Sequence, residues 1–174
     1  MLNLELAKGL LSNGREPTNR HPLLKCIFRG DKIPKEVWSK EILNIEDESH
    51  WTPLTAMVAL RRLNEIPEEL LSKETLNTPN SLGWTPLHKT ISWGYTPEVN
   101  YLISKGANPS IKTSDGKSCQ EIYLESDKLT NSSKKMTNEN QSNNNPIMRI
   151  LNEAKLKKEK DLIKRKLSDS PINL

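Results

Sequence analysis

Cysteine is scarce in this chain of 174 residues, which holds two, Cys26 and Cys119. Two thiols cannot make the disulfide framework of a small secreted domain. Three histidines, none spaced with the cysteines as zinc requires, leave no metal site. A single Phe and a hydrophobic share of 34% are low for one compact core. No apolar run approaches the roughly 18 residues of a membrane span, and no basic-then-apolar leader opens the chain. These features point to a reducing, cytoplasmic setting in which Asn131-Ser132-Ser133 and Asn140-Gln141-Ser142 are idle as glycan acceptors. Catalytic signatures are missing too. There is no Gly-rich phosphate loop and no G-x-S-x-G elbow, and the acidic Glu46-Asp47-Glu48 reads as a solvated turn. No enzyme and no cofactor are expected.

What the chain does have is a period. Gly83 to Ile111 reads GWTPLHKTISWGYTPEVNYLISKGANPSI. Thr85 is an N-cap and Pro86 sits at the first helical position, where a missing N–H costs nothing. A short helix then runs to Gly94. Pro97 restarts a second helix with Val99, Leu102 and Ile103 on one face, and Gly106 closes it. At an offset of 33, Trp84-Thr85-Pro86-Leu87 matches Trp51-Thr52-Pro53-Leu54, and 12 of the 22 positions from Ile33 to Leu54 equal their partners. Ser39-Lys40-Glu41 matches Ser72-Lys73-Glu74. One offset forward, Gly116-Lys117-Ser118 makes a weaker start, in which Ser118 can still cap. A first start, His21-Pro22-Leu23-Leu24, lies 31 residues before Pro53, the missing two residues falling in the turn between helices. Pairs of helices too short to bury their own apolar faces imply stacked units.

T-P-L-H, then Gly, an apolar second helix and Gly-Ala-Asn resemble an ankyrin repeat, whose period is about 33 residues. The resemblance implies an all-α solenoid of four helix–turn–helix units. Residues 1–19, with Leu4 to Leu11 helical, then cap the array, and residues 20–125 form the repeats. Residues 126–145, rich in Ser, Asn, Thr and Lys, make a disordered insertion. Residues 146–167, starting with Ile147, Ile150, Leu151 and Ala154, supply the last repeat's second helix and a basic extension, and 168–174 are a tail. Within this frame His88 hydrogen-bonds neighbouring turns, His21 takes a Thr position, and Trp38 pairs with Leu71 on a buried second helix. Cys26 and Cys119 are half-buried structural thiols. Gln120 and Tyr123 depart from the pattern in the manner of a terminal repeat with a wet outer face.

The resemblance also assigns a concave recognition surface made by hairpin tips and the exposed ends of first helices. The residue before each T-P-L-H start is Arg20, Trp51, Trp84 and Lys117. Helix ends add Phe28 and Arg29, Ala59 and Leu60, Ser92 and Trp93, and the tips add Glu48, Ser49, Ser81 and Leu82. Arg20, Arg29, Trp51, Leu60, Trp84, Trp93 and Lys117 are the candidate partner-binding residues, since Trp and Arg dominate interface hot spots. For Trp51 and Trp84 a second reading stays open, in which each ring braces one repeat on the next. The implied function is that of a monomeric cytoplasmic module binding another protein. The Lys- and Asn-heavy composition resembles short ankyrin proteins of bacteria living in host cells, which implies translocation into the host. A rival lies in the tail. Residues 126–174 carry 11 Lys/Arg against 6 Asp/Glu, whereas residues 1–125 are near balance. Lys155 to Lys166 is thus a candidate surface for nucleic acid or anionic membrane. Interrupting acids and the lack of interleaved aromatics weaken it.

Overall fold

The computed structural model describes residues 21–131 and 145–168, and the expected capping helix in 1–19 lies outside them. Among the described residues eight α-helices follow one another, with no strand. Four form an inner row: α1 (Pro22–Arg29), α3 (Pro53–Ala59), α5 (Pro86–Ser92) and α7 (Cys119–Asn131). An outer row holds α2 (Lys40–Leu43), α4 (Lys73–Asn77), α6 (Thr96–Ser104) and α8 (Pro146–Ser168). Each inner helix packs on the next, α1 on α3, α3 on α5 and α5 on α7, while α8 covers α6 and α7. Leu24, Leu54, Met57, Leu87 and Ile91 are fully buried between the layers, each Leu contributing roughly 1.5–3 kcal/mol by burial.

Every inner helix begins on a side-chain cap. His21 Nδ1 accepts the Leu23 N–H at 3.2 Å, so histidine does the work of the Thr in the other repeats. Thr52 and Thr55 exchange hydrogen bonds, and His88 Nδ1 accepts the Thr85 N–H at 3.0 Å. Ser118 and Glu121 form a reciprocal capping box. The first three inner helices end alike. Gly30, Arg61 and Gly94 are left-handed, each with the paired backbone bonds of a Schellman turn, as in Arg61 N–H to Val58 O and Arg62 N–H to Met57 O.

Three places depart from the sequence reading. In the first two repeats the outer element is a 3₁₀ turn (Lys35–Val37, Glu68–Leu70) followed by a separate short helix. Trp38 and Leu71 are buried but cap those turns instead of lying on a helix. The cause is local. Ser39 and Ser72 turn extended and accept the N–H groups of Ile42 and Thr75, starting new helices. The boundary placed at 125 falls inside α7, which runs on to Asn131. Once Ile122 and Tyr123 are buried, nothing in 124–131 breaks a helix, and the polar residues there are tolerable helix formers. The remainder of the expected insertion, residues 132–144, lies outside the described part. Finally, Tyr123 is buried, not on a wet face, in the helix that α8 packs on, and Cys119 is fully buried where the sequence reading had it half-buried. Burial pushes the Cys119 thiol up to about 12, which leaves it inert. Gln120 Nε2 reaches Asn152 Oδ1 at 2.7 Å and ties α7 to α8.

Candidate partner-binding surface

The hairpin tips that precede α3, α5 and α7 share one construction. Asp47 Oδ1 accepts the N–H groups of Ser49 and Trp51, both at 2.9 Å. Asn80 Oδ1 accepts those of Leu82 and Trp84 at 3.1 and 2.8 Å, and Thr113 Oγ1 accepts that of Lys117 at 3.1 Å. Positions 47, 80 and 113 are one period apart. A side chain that satisfies two backbone donors fixes the tip, and with it the direction of the next residue. Neighbouring tips are joined as well, by Asn80 Nδ2 to His50 O at 3.0 Å and Ser114 N–H to Leu82 O at 3.0 Å.

Held in this way, the tryptophans meet. Trp51 and Trp93 stack with centroids 5.5 Å apart and planes 15° from parallel. Phe28 packs edge-on to Trp51 at 5.3 Å, and Tyr95 lies 5.8 Å beyond Trp93. Four rings from three repeats thus form one continuous strip, every ring half-buried. Trp84 stands apart from this stack, 6.2 Å from the ring of His88, and is joined to it through Lys89. The Lys89 Nζ lies 4.9 Å from the Trp84 centroid and 5.7 Å from that of Trp51. At the far end the Arg61 guanidinium lies 4.7 Å over Tyr95.

The other candidate residues are scattered around the strip. Arg29 is exposed and bonded to Asp31 at 2.7 Å, and Leu60 is exposed. Lys117 is held by Glu125 at 2.7 Å on α7. Arg20 lies outside the described residues. Trp84 and Trp93, both candidates from the sequence, make no ring contact with each other among the described residues; the ring that Trp93 stacks on is Trp51. Sequence reasoning missed Lys89, Tyr95 and Arg61. A signal for Lys89 was available, since it lies one helical turn before Trp93 and so on the same face.

Catalytic arrangements can be tested on the same tips. His50 Nδ1 lies 2.6 Å from Glu46 Oε1 and 2.8 Å from Ser81 Oγ. A Ser–His–acid relay needs the two partners on opposite ring nitrogens, and here one nitrogen faces both. Ser81 also donates through Oγ and its N–H to Glu46, so the trio is a cross-link between tips. Burial pushes the Glu46 carboxyl up, but the hydrogen bonds from Ser81 and His50 outweigh it and hold it below its ordinary value. His88 is fully buried, with Nε2 3.0 Å from Ile111 O; since Nδ1 accepts from Thr85, Nε2 carries the proton. Burial lowers its pKa, with the bond to Ile111 opposing, and keeps the ring neutral. No group of His, Cys, Asp and Glu suited to a metal ion occurs among the described residues, and no described helix is long and apolar enough to cross a membrane.

The sequence family now follows from a direct comparison. A family model described as ankyrin repeats (3 copies) matches residues 2–113. The chain belongs to the ankyrin-repeat family. Ankyrin repeats are protein–protein interaction modules without catalytic machinery of their own. The matched region takes in α1 through α6, and beyond it α7 stacks on α5. Among curated proteins, no sequence matches the chain.

Proposed function

We propose that this ankyrin protein binds a partner protein through the aromatic strip Phe28–Trp51–Trp93–Tyr95, flanked by Trp84, Lys89 and Arg61. The observation that carries the reading is the Trp51–Trp93 stack, which joins neighbouring repeats while leaving both rings partly open to solvent. Half-exposed aromatic rings held against one another by stacking and edge contacts lose little entropy on binding, and such rings make hot spots. Arg29 and Leu60 are exposed beside the helix ends and belong to the rim. The protein acts as a cytoplasmic monomer and carries out no reaction itself. Its Lys- and Asn-rich composition supports a further reading as a protein delivered into a host cell by an intracellular bacterium.

The experiment is a pull-down with the wild type and Trp51→Ala/Trp93→Ala, with melting temperature measured on both. Loss of the captured protein at nearly unchanged melting temperature is the expected outcome. Full capture with a depressed melting temperature would make the rings braces and remove the site.

A second reading has one observation in its favour. Leu156, Leu162 and Ile163 are exposed on α8 among Lys157, Lys158, Lys160, Lys164, Arg165 and Lys166, a mixture suited to an anionic surface. Titration of the chain against RNA and anionic vesicles at low and high salt separates the two. Strongly salt-dependent micromolar binding would favour the tail.

A further inference from the structure

Lys89 stands where the preceding repeat has Ala56, a fully buried residue. Its side chain is half-buried and runs out between two indole rings, with Nζ 4.9 Å from one and 5.7 Å from the other. Several other cations of the repeats have acidic partners: Arg29 with Asp31, Arg61 with Glu98, Arg62 with Glu65, Lys105 with Glu68 and Lys117 with Glu125. Among the described residues no carboxylate lies within ion-pair distance of Lys89. The π faces attract the ammonium but do not neutralise it. A desolvated charge without a counter-charge is costly, and the same low-dielectric surroundings strengthen its attraction to any anion that arrives.

We propose that Lys89, walled by Trp51 and Trp84, is the specificity pocket of the strip and receives an Asp or Glu side chain of the partner protein. The inference rests on the strip being the binding surface, and it names the chemistry that the surface selects. A carboxylate suits the slot because it is small, planar and satisfied by one ammonium. Phosphoryl groups favour the bidentate fork of arginine, which this slot lacks. The stacked Phe28, Trp51, Trp93 and Tyr95 adjoin the slot, so the acidic residue is to be followed or preceded by an apolar or aromatic one in the same short segment. Burial, the one cause acting on the Lys89 pKa, lowers it; an entering carboxylate would raise it again and so bind against a lysine that is already partly stripped of water.

The test uses the full chain and a displayed library of random short peptides. Selection is run on the wild type, Lys89→Met, Lys89→Glu and Trp51→Ala/Trp93→Ala, each checked by thermal melting. Lys89→Met keeps the apolar stem and guards against loss of fold. The wild type is expected to enrich peptides with one fixed Asp or Glu near an aromatic residue. Changing that acid to its amide in a synthetic, labelled peptide should weaken wild-type binding about tenfold or more, and leave Lys89→Met binding unchanged. Lys89→Glu should enrich Lys or Arg at the same position. Peptides that need Trp51 and Trp93 but show no acidic preference would overturn the inference and leave the aromatic strip standing. An acidic preference that survives Lys89→Met would do the same. Failure to enrich any peptide dependent on Trp51 and Trp93 would remove the strip and the pocket together.

Discussion

Arg61 adopts φ 57°, the left-handed conformation that Gly30 and Gly94 supply in the flanking repeats. A side chain there costs about 1 kcal/mol or more relative to glycine. Its returns are a stack on Tyr95 and a 3.5 Å ion pair with Glu98, in which the arginine is exposed and the carboxylate largely buried; a long pair whose cation is open to water is worth little. Arg61→Gly is therefore expected to raise stability by about 1 kcal/mol, read from urea denaturation; a loss of stability would mean that the Tyr95 stack outweighs backbone strain. His50 presents the opposite balance. It too is left-handed, where Gly83 and Gly116 stand in later repeats, but its ring bonds Glu46 and Ser81. Glycine there would relieve the backbone and cut the cross-link between tips. Histidine also sets the response to acid. His21 and His88 both have folded pKa values lowered from 6.5, in each case by burial first. Unfolded, they take protons that the folded chain refuses, so stability is complete above about pH 6.5 and declines as the pH falls below it. His21→Gln/His88→Gln should flatten that decline in denaturation midpoints measured from about pH 7 to about pH 5. An unaltered slope would assign acid sensitivity to other groups.

Among the elements, the tips deserve a test because their side-chain bonds aim the tryptophans. Asn80→Ala removes the acceptor for two N–H groups and the bond to His50 O. A cost of about 1–3 kcal/mol is expected, since an unmet donor costs more than an unformed bond. Asn80→Asp keeps the acceptor, as Asp47 does in the preceding repeat, and should cost clearly less; equal denaturation midpoints for the two variants would show that Oδ1 is not what holds the tip. Sequence legibility also varies by element. The inner helices could be read because Pro at the first position and a capping Thr or Ser are local signals with one physical meaning. In the outer row the same period misled. Ser39 and Ser72 matched each other at offset 33, and the match hid that both restart a helix. The end of α7 was misplaced because polar composition does not by itself stop a helix anchored by Ile122 and Tyr123. As for the surface, the ankyrin resemblance brought Trp51 and Trp93 to one face, but no pattern shows which rings touch, and a lysine in a core alanine's place draws notice only once its neighbours are known.

At the scale of the whole molecule, stability is a sum over neighbouring repeats, so damage in the middle counts twice. Leu87 is fully buried on α5, which packs on α3 and α7 alike. Leu87→Ala should cost about 2–5 kcal/mol, a large share of a short array's stability. The last turns of α8 are exposed, whereas Ile147 and Leu151 are buried. Truncation after Leu156 is thus expected to shift stability by no more than about 0.5 kcal/mol. Truncation before Pro146 would bare the seat of Ile147 and Leu151 and lower the melting temperature. Similar melts for the two truncations would show that α8 does not close the array.

Trp51 and Trp93 are close enough, at 5.5 Å, for an excited state to hop from ring to ring before light is emitted. Hopping scrambles polarisation, so tryptophan emission from this protein should be more depolarised than tumbling alone allows. Excitation at the red edge of the absorption band, where transfer fails, should restore the lost anisotropy. The Lys89 ammonium beside Trp84 and Trp51 adds a second optical effect, because an ammonium can quench an excited indole by passing it a proton. A carboxylate that captured that ammonium would brighten the emission, and the surface would report its occupant by its own fluorescence, without a label.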